Sequence, residues 1–266
     1  MKYLLAFLMI TLLALSCSDD NGIKNTTWQL VWEDNFDGEQ GQLPNPENWT
    51  YDVGTDWGNA QLEYDTDRAD NVQLDGQGNL AIIARRENFA GSSFTSGRIK
   101  TQGLFDQAYG RFEARILMPY GPGIWPAFWL LGSDIDEVNW PQCGEIDIME
   151  YRGQEPNIIH GSVHGPGYSG GNAITKSYGL QKARFDTDFY IYAIEWGGDY
   201  IDFFVNDDLY QRITPEDVTG EWVYDHPFFI ILNVAVGGNY VGFPTDQTVF
   251  PQTMLVDYVR VYSAVE

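Results

Sequence analysis

Apolar residues recur along this chain mostly with a period of two, and seldom with the period of a helix. Between Gly110 and Met118, Phe112, Ala114, Ile116 and Met118 alternate with Arg111, Glu113 and Arg115. That alternation predicts a half-buried strand. Phe228 to Val236 is apolar and β-branched, as befits a strand covered on both faces. Leu80 to Ala84 follows the turn signal Gly78-Asn79, and Tyr200 to Val205 runs into a second one, Asn206-Asp207. Met254 to Tyr262 is a further strand. Pro215 to Val218 predicts one short helical turn. Short strands, 28 Gly, 12 Pro and no alternating helices predict an all-β antiparallel sandwich. Residues 28–266 show no repeat and no linker, so they read as one domain.

The first residues have a different pattern. Lys2 precedes an apolar stretch from Leu4 to Leu15, so residues 1–16 read as a signal peptide, too short for a spanning helix. Ala14-Leu15-Ser16-Cys17 resembles a bacterial lipobox, with Ala14 where Leu is preferred, which implies lipidation of Cys17. Simple signal cleavage is the alternative. Ser18-Asp19-Asp20-Asn21-Gly22 opens a polar tether over residues 17–27. It resembles the acidic tether of surface-displayed Bacteroidetes lipoproteins. The expected location is therefore the outer membrane, facing outward, with the lipid as the only membrane contact; a periplasmic or secreted protein is the other reading. Cys143 is then the one mature thiol, and no internal disulfide can form.

Charge narrows the ligand. With 38 acidic and 15 basic residues the formal net charge is −23, and no Lys/Arg run interrupts it. Such a chain repels nucleic acid and sulfated glycans, so a neutral ligand fits best. Nine Trp and sixteen Tyr exceed the needs of a core, so some should meet ligand. Nothing signals an oligomer, and a monomer is expected.

The chemistry-bearing segment is Gly144-Glu145-Ile146-Asp147-Ile148-Met149-Glu150-Tyr151. In a strand Glu145 and Asp147 share a face. Glu150 is out of phase with them, and one extra residue, a β-bulge, would return it to their face. Clustered carboxylates are costly, and at least one holds its proton near neutral pH. Retaining glycoside hydrolysis needs such a pair, one carboxylate to attack and one acid to protonate the leaving oxygen. A solvated edge strand and a cation site are the alternatives. Upstream, Gly121-Pro122-Gly123-Ile124-Trp125-Pro126-Ala127-Phe128-Trp129 offers aromatic faces on which sugar rings stack.

These motifs resemble glycoside hydrolase family 16. Glu145 to Glu150, with its inserted Met149, resembles the bulged active-site strand of laminarinase-like β-1,3-glucanases. Leu30 to Gly38, Ser96-Gly97-Arg98-Ile99, Gly123 to Trp129, Gly161-Ser162-Val163-His164, Asn233 to Gly238 and Asp257 to Tyr262 resemble further family segments in order. The resemblance implies a β-jelly roll of two curved sheets with a concave cleft. It implies a retaining endo-β-glucanase acting on β-1,3- or mixed β-1,3-1,4-glucan. Glu145 is the implied nucleophile, Asp147 its assistant and Glu150 the acid/base. Asn59, Arg98, Trp125, Trp129, His164 and Asn233 are implied sugar contacts. Their alternatives are structural: Arg98 paired to an acid, His164 satisfied in its strand, Asn233 bonded to backbone. Catalysis needs no cofactor, but the family implies a structural calcium on the convex face, held by oxygens of Asn35, Gly78 and Asp257. One departure is Gln61, where laminarinases often carry Glu; Glu63 follows it. A galactan hydrolase of agarase type and a non-catalytic glycan-binding lipoprotein are the competing functions.

Overall fold

The computed structural model describes residues 26–265. The expected signal peptide, Cys17 and most of the tether lie outside the described residues. The strands are β1 (Trp28–Asp34), β2 (Thr50–Tyr51), β3 (Glu63–Asp65), β4 (Val72–Leu74), β5 (Leu80–Phe89), β6 (Ser92–Ser96), β7 (Arg98–Lys100), β8 (Gly110–Leu117), β9 (Ile124–Gly132), β10 (Glu145–Tyr151), β11 (Ile158–His164), β12 (Ile174–Gly179), β13 (Tyr190–Gly197), β14 (Tyr200–Val205), β15 (Asp208–Ile213), β16 (Phe228–Val236) and β17 (Gln252–Ala264).

They form two sheets. The larger runs β15-β14-β13-β8-β17-β5-β6-β3, with β1 added on β17 and β4 on β5. The smaller runs β12-β11-β10-β9-β16-β7-β2. Every pairing is antiparallel except β3 with β6. The expected sandwich is what forms. Alternation explains the layering: Phe112, Ala114 and Ile116 of β8 are fully buried, while Arg111 pairs with Glu113 and Glu195 on the outer face. From the smaller sheet Ile124, Phe128, Leu130, Ile146 and Ile148 meet that core. All nine residues of β16 are buried, as its apolar run, interrupted only by Asn233, predicts. Its outer face is the floor of the site described below.

One expectation changes and another narrows. Pro215 to Val218 is a simple turn, closed by Asp217 N–H to Thr214 O at 3.0 Å, and not helical. Among the described residues the one helical turn is 3-10, at Gly170–Asn172. Asn35, Gly78 and Asp257 do become neighbours on the outer sheet, since Val256 pairs with Leu80 and Val259 with Asp34. However, Arg115 takes one Asp257 oxygen at 2.6 Å, and Arg260 donates to the Asn35 amide oxygen at 3.0 Å. A cation there fits only on the other Asp257 oxygen and on backbone carbonyls.

Candidate active site

Strand β10 carries the carboxylates, and its two neighbours define their direction. On β11, Glu145 faces His164, Asp147 faces Ser162 and Glu150 faces His160. On β9 the partners are Leu131, Trp129 and Ala127. Between Asp147 and Glu150 the chain advances three residues against two on each neighbour, so β10 holds the one-residue bulge that its spacing predicts. Opposed residues share a face, and Glu145, Asp147 and Glu150 therefore line the outer face of the smaller sheet together. Ile146, Ile148 and Met149 are buried beneath them.

The same register builds the rest of the floor. Trp129 faces Ile231, Ala127 faces Asn233 and Trp125 faces Ala235 on β16, while Asn233 faces Arg98 on β7. All six expected sugar-contact residues border one surface. Trp129 Nε1–H donates to Asn233 Oδ1 at 2.8 Å. The Arg98 guanidinium lies 4.9 Å from the ring centres of both Trp57 and Trp129. Its Nε is 2.8 Å from Asp52, which also pairs with Lys100 at 2.5 Å. Arg98 is thus both paired to an acid and stacked in the cleft. Asn59 has a φ of +54° and stands in an exposed loop, whose carbonyl accepts from Asn239 N–H at 2.7 Å. Gly238 brings that carbonyl next to Trp125, for a Cβ there would lie 3.0 Å from the Asn59 oxygen and 3.5 Å from the indole.

Each carboxylate has its own donors. Trp140 Nε1–H donates to Glu145 Oε2 at 2.9 Å. Trp125 Nε1–H donates to Glu150 Oε1 at 3.1 Å. The Ser162 hydroxyl approaches the other Glu150 oxygen at 3.5 Å and accepts from Thr175 at 2.9 Å. His164 Nδ1 accepts Gly170 N–H at 3.0 Å, so the neutral ring carries its proton on Nε2. That nitrogen is 3.0 Å from Asp147 Oδ2 and 3.6 Å from Glu145 Oε1. His164 therefore stands closest to Asp147 and Glu145. Glu145, Asp147 and His164 lie close enough to surround a cation. A protonated Nε2 has no lone pair to offer one, which argues for proton chemistry here.

Burial sets the charge state. It raises Glu145 to about 8, with the Asp147 charge adding and His164 and Trp140 opposing. It raises Glu150 to about 8, with Asp147 again adding and His164, Trp125 and Ser162 opposing. Asp147 rises to about 7, held back by a hydrogen bond with Glu145. Three like charges in one dry cluster are unfavourable, so the cluster keeps protons at neutral pH.

The sequence motifs omit several of these residues. Trp140 sits in a Trp-Pro turn, and nothing in its local pattern points to Glu145. Asp52 and Trp57 lie in a polar stretch without periodicity. Tyr240, whose ring centre is 5.0 Å from Trp125 and 4.2 Å from the Arg152 guanidinium, belongs to a Gly-rich loop. Ser162 did carry a signal, since it sits two residues from His164 on the same strand face. Cys143 is fully buried, so it packs in the core and does not line the cleft.

Comparison with known proteins agrees with this geometry. The chain is 42% identical over 273 residues to a beta-glucanase of Rhodothermus marinus, covering 98% of this chain and 94% of that protein. The endo-beta-1,3-glucanase of Pyrococcus furiosus superposes with a TM-score of 0.86 at 45% identity, over 92% of this chain and 97% of that one. The laminarinase catalytic domain of Thermotoga maritima gives 0.85 at 43% identity, over 90% and 99%. Residues 51–260 match the model of glycosyl hydrolases family 16, and this chain belongs to that family.

Proposed function

We propose that this protein is a retaining endo-β-glucanase that hydrolyses β-1,3- and mixed-linkage β-1,3-1,4-glucans. The observation that carries the reading is the bulge in β10, which sets Glu150 on the face of Glu145 and Asp147 beneath a cleft rich in Trp. In the first step a Glu145 oxygen attacks the anomeric carbon while Glu150 gives its proton to the departing glycosidic oxygen. A glycosyl ester forms and the reducing-end piece leaves. In the second step Glu150 takes a proton from water, the water oxygen attacks the same carbon, and Glu145 departs as a carboxylate. Glu150 must begin protonated, and its raised pKa of about 8 keeps it so. Glu145 is raised to the same value, so the two titrate as one cluster, and the reacting state is the one with the charge on Glu145 and the proton on Glu150. The Trp140 N–H donates to Glu145, the His164 ring lies nearby against Asp147, and a proton shared with Asp147 removes the like charge beside Glu145.

The neutral cleft rings, and an Arg98 guanidinium clamped by Asp52, suit uncharged sugar better than a sulfated galactan. The intact acid cluster argues against a role in binding alone. The test is a reducing-sugar assay on laminarin, barley β-glucan, lichenan and cellulose. We expect activity on laminarin and barley glucan that Glu145→Gln abolishes. Activity that survives in Glu145→Gln, or none on any of the four from folded protein, would overturn the reading.

Two further properties rest on the sequence. Lipidation at Cys17 would place the enzyme on the outer membrane, and Cys17→Ser should move it from the membrane pellet to the soluble fraction. A structural calcium bound by backbone carbonyls and Asp257 should raise Tm when added after chelation. A Tm indifferent to calcium would exclude it.

A further inference from the structure

A second pair of carboxylates lies under the far end of the cleft, outside the reaction described above. Glu63 and Asp65 of β3 share a strand face and are 1% and 2% exposed. Glu63 Oε2 accepts Val236 N–H at 2.7 Å, at the end of β16. Leu62 N–H donates to Val236 O at 2.9 Å, and Gly54 and Asp65 exchange backbone bonds at 2.7 and 3.0 Å. Both ends of the segment 54–62 are therefore fastened at this pair. Between those ends the segment carries Trp57, against the Arg98 guanidinium, and Asn59, against Gly238 and Asn239. Val236 leads directly into Gly237-Gly238, which press on Leu62 and Trp125. The Glu63 carboxyl thus joins two walls of the sugar cleft at their common root.

We propose that Glu63 is a positioning residue for glucan binding: its carboxyl fixes the 54–62 loop and the Gly237-Gly238 turn, so the sugar units they hold depend on its protonation. The proposal rests on the glucanase reading of the site. The groups facing Glu63 are Asp65 on its own strand, Arg98 of β7, and Asp52 and Lys100 paired around Arg98. Burial raises Glu63 to about 7, with Arg98 and backbone N–H groups opposing. Asp65 is raised by burial first and by Glu63 second. Burial of its Oδ1 is opposed by the Arg98 charge and the Trp57 indole N–H. The pair is thus accommodated while protonated. Raising pH through about 7 charges Glu63 beside Asp65, and a charge in that buried pair strains the anchor.

The experiment compares wild type, Glu63→Gln and Glu63→Ala by kcat and KM on laminarin between pH 5.5 and 8.5. Wild-type KM should rise several-fold above pH 7 while kcat follows the catalytic carboxylates. Glu63→Gln keeps an acceptor for Val236 N–H but cannot charge, so its KM should match wild type at low pH and lose that rise. Glu63→Ala, if folded, should raise KM about five-fold or more at every pH with little change in kcat. An unchanged KM rise in Glu63→Gln overturns the proposal, and so does a Glu63→Ala whose loss falls on kcat. Wild-type activity on laminarin keeps this outcome separate from a failure of the glucanase reading itself, which would appear as no turnover in any variant.

Discussion

At the scale of single residues, the site is held together by N–H donors aimed at carboxylates. Trp140 donates to Glu145, the group that has to become an anion. A hydrogen bond to a charged group contributes about 1.5–3 kcal/mol, so losing it should make Glu145 harder to ionise. Trp140→Phe keeps the ring and removes the donor. We expect kcat/KM on laminarin to fall about ten-fold and the acid limb of its pH profile to move upward; an unmoved limb would show that Trp140 only packs. Glu145 and Glu150 are raised alike, to about 8, so the limbs belong to the coupled cluster. The basic limb marks the loss of its last proton, the one Glu150 must donate. Glu145 also bears on stability. Its pKa is raised from 4.5 to about 8, so in that window the folded state binds more protons than the unfolded one. Stability is full at low pH and declines as pH rises to about 8. Glu145→Gln removes this loss. Its stability should equal wild type near pH 4 and exceed it by about 1–3 kcal/mol at pH 8, measured by thermal or urea unfolding.

At the scale of elements, what was legible depended on length and pattern. The strands Tyr200–Val205 and Phe228–Val236 match their apolar runs end to end, and the bulge follows from where the acids stand in the strand alternation. Strands of two or three residues, such as β2, β3 and β7, are too short to show any period. Arg98 and Glu63 lie in them, and only register reveals what they face. Pro215 to Val218 has the composition of a helix start, but the chain closes it as a turn through Thr214 and Asp217. Trp140 was invisible for a related reason. A turn brings it back over β10, and that return depends on contact between backbones. Gly132 at the end of β9 allows it, because a Cβ there would lie 1.9 Å from the Cys143 carbonyl oxygen. Gly132→Ala should therefore push the Trp140 turn away from Glu145. We expect a loss of about 2–4 kcal/mol in stability, seen as a lower Tm, together with lower kcat. A variant as stable and active as wild type would show that this approach is not needed.

At the scale of the molecule, two sheets divide the work. The larger carries ion pairs such as Arg212 with Asp202 and Arg115 with Asp257 on its outer face, and the smaller carries the chemistry on its own. Both bury the faces between them, so the reacting groups stand on a floor whose other side is core. That support explains how three carboxylates can be kept close despite their repulsion. The net charge of −23 adds a second strain over the whole surface. Self-repulsion is screened as salt rises, so Tm should increase between very low ionic strength and about 0.15 M, where the Debye length is about 8 Å. A Tm that falls over this range would mean that local ion pairs outweigh the net charge.

The central claim is the division of roles between Glu145 and Glu150, and azide rescue tests it most directly. Glu145→Ala and Glu150→Ala would each be given an activated β-laminaribioside and sodium azide, and the product anomer read by NMR. With the nucleophile gone, azide should attack the free face and give the α-glycosyl azide from Glu145→Ala. With the acid/base gone, azide should replace water in the second step and give the β-glycosyl azide from Glu150→Ala. The opposite pairing of anomers, or rescue of neither variant, would contradict the account.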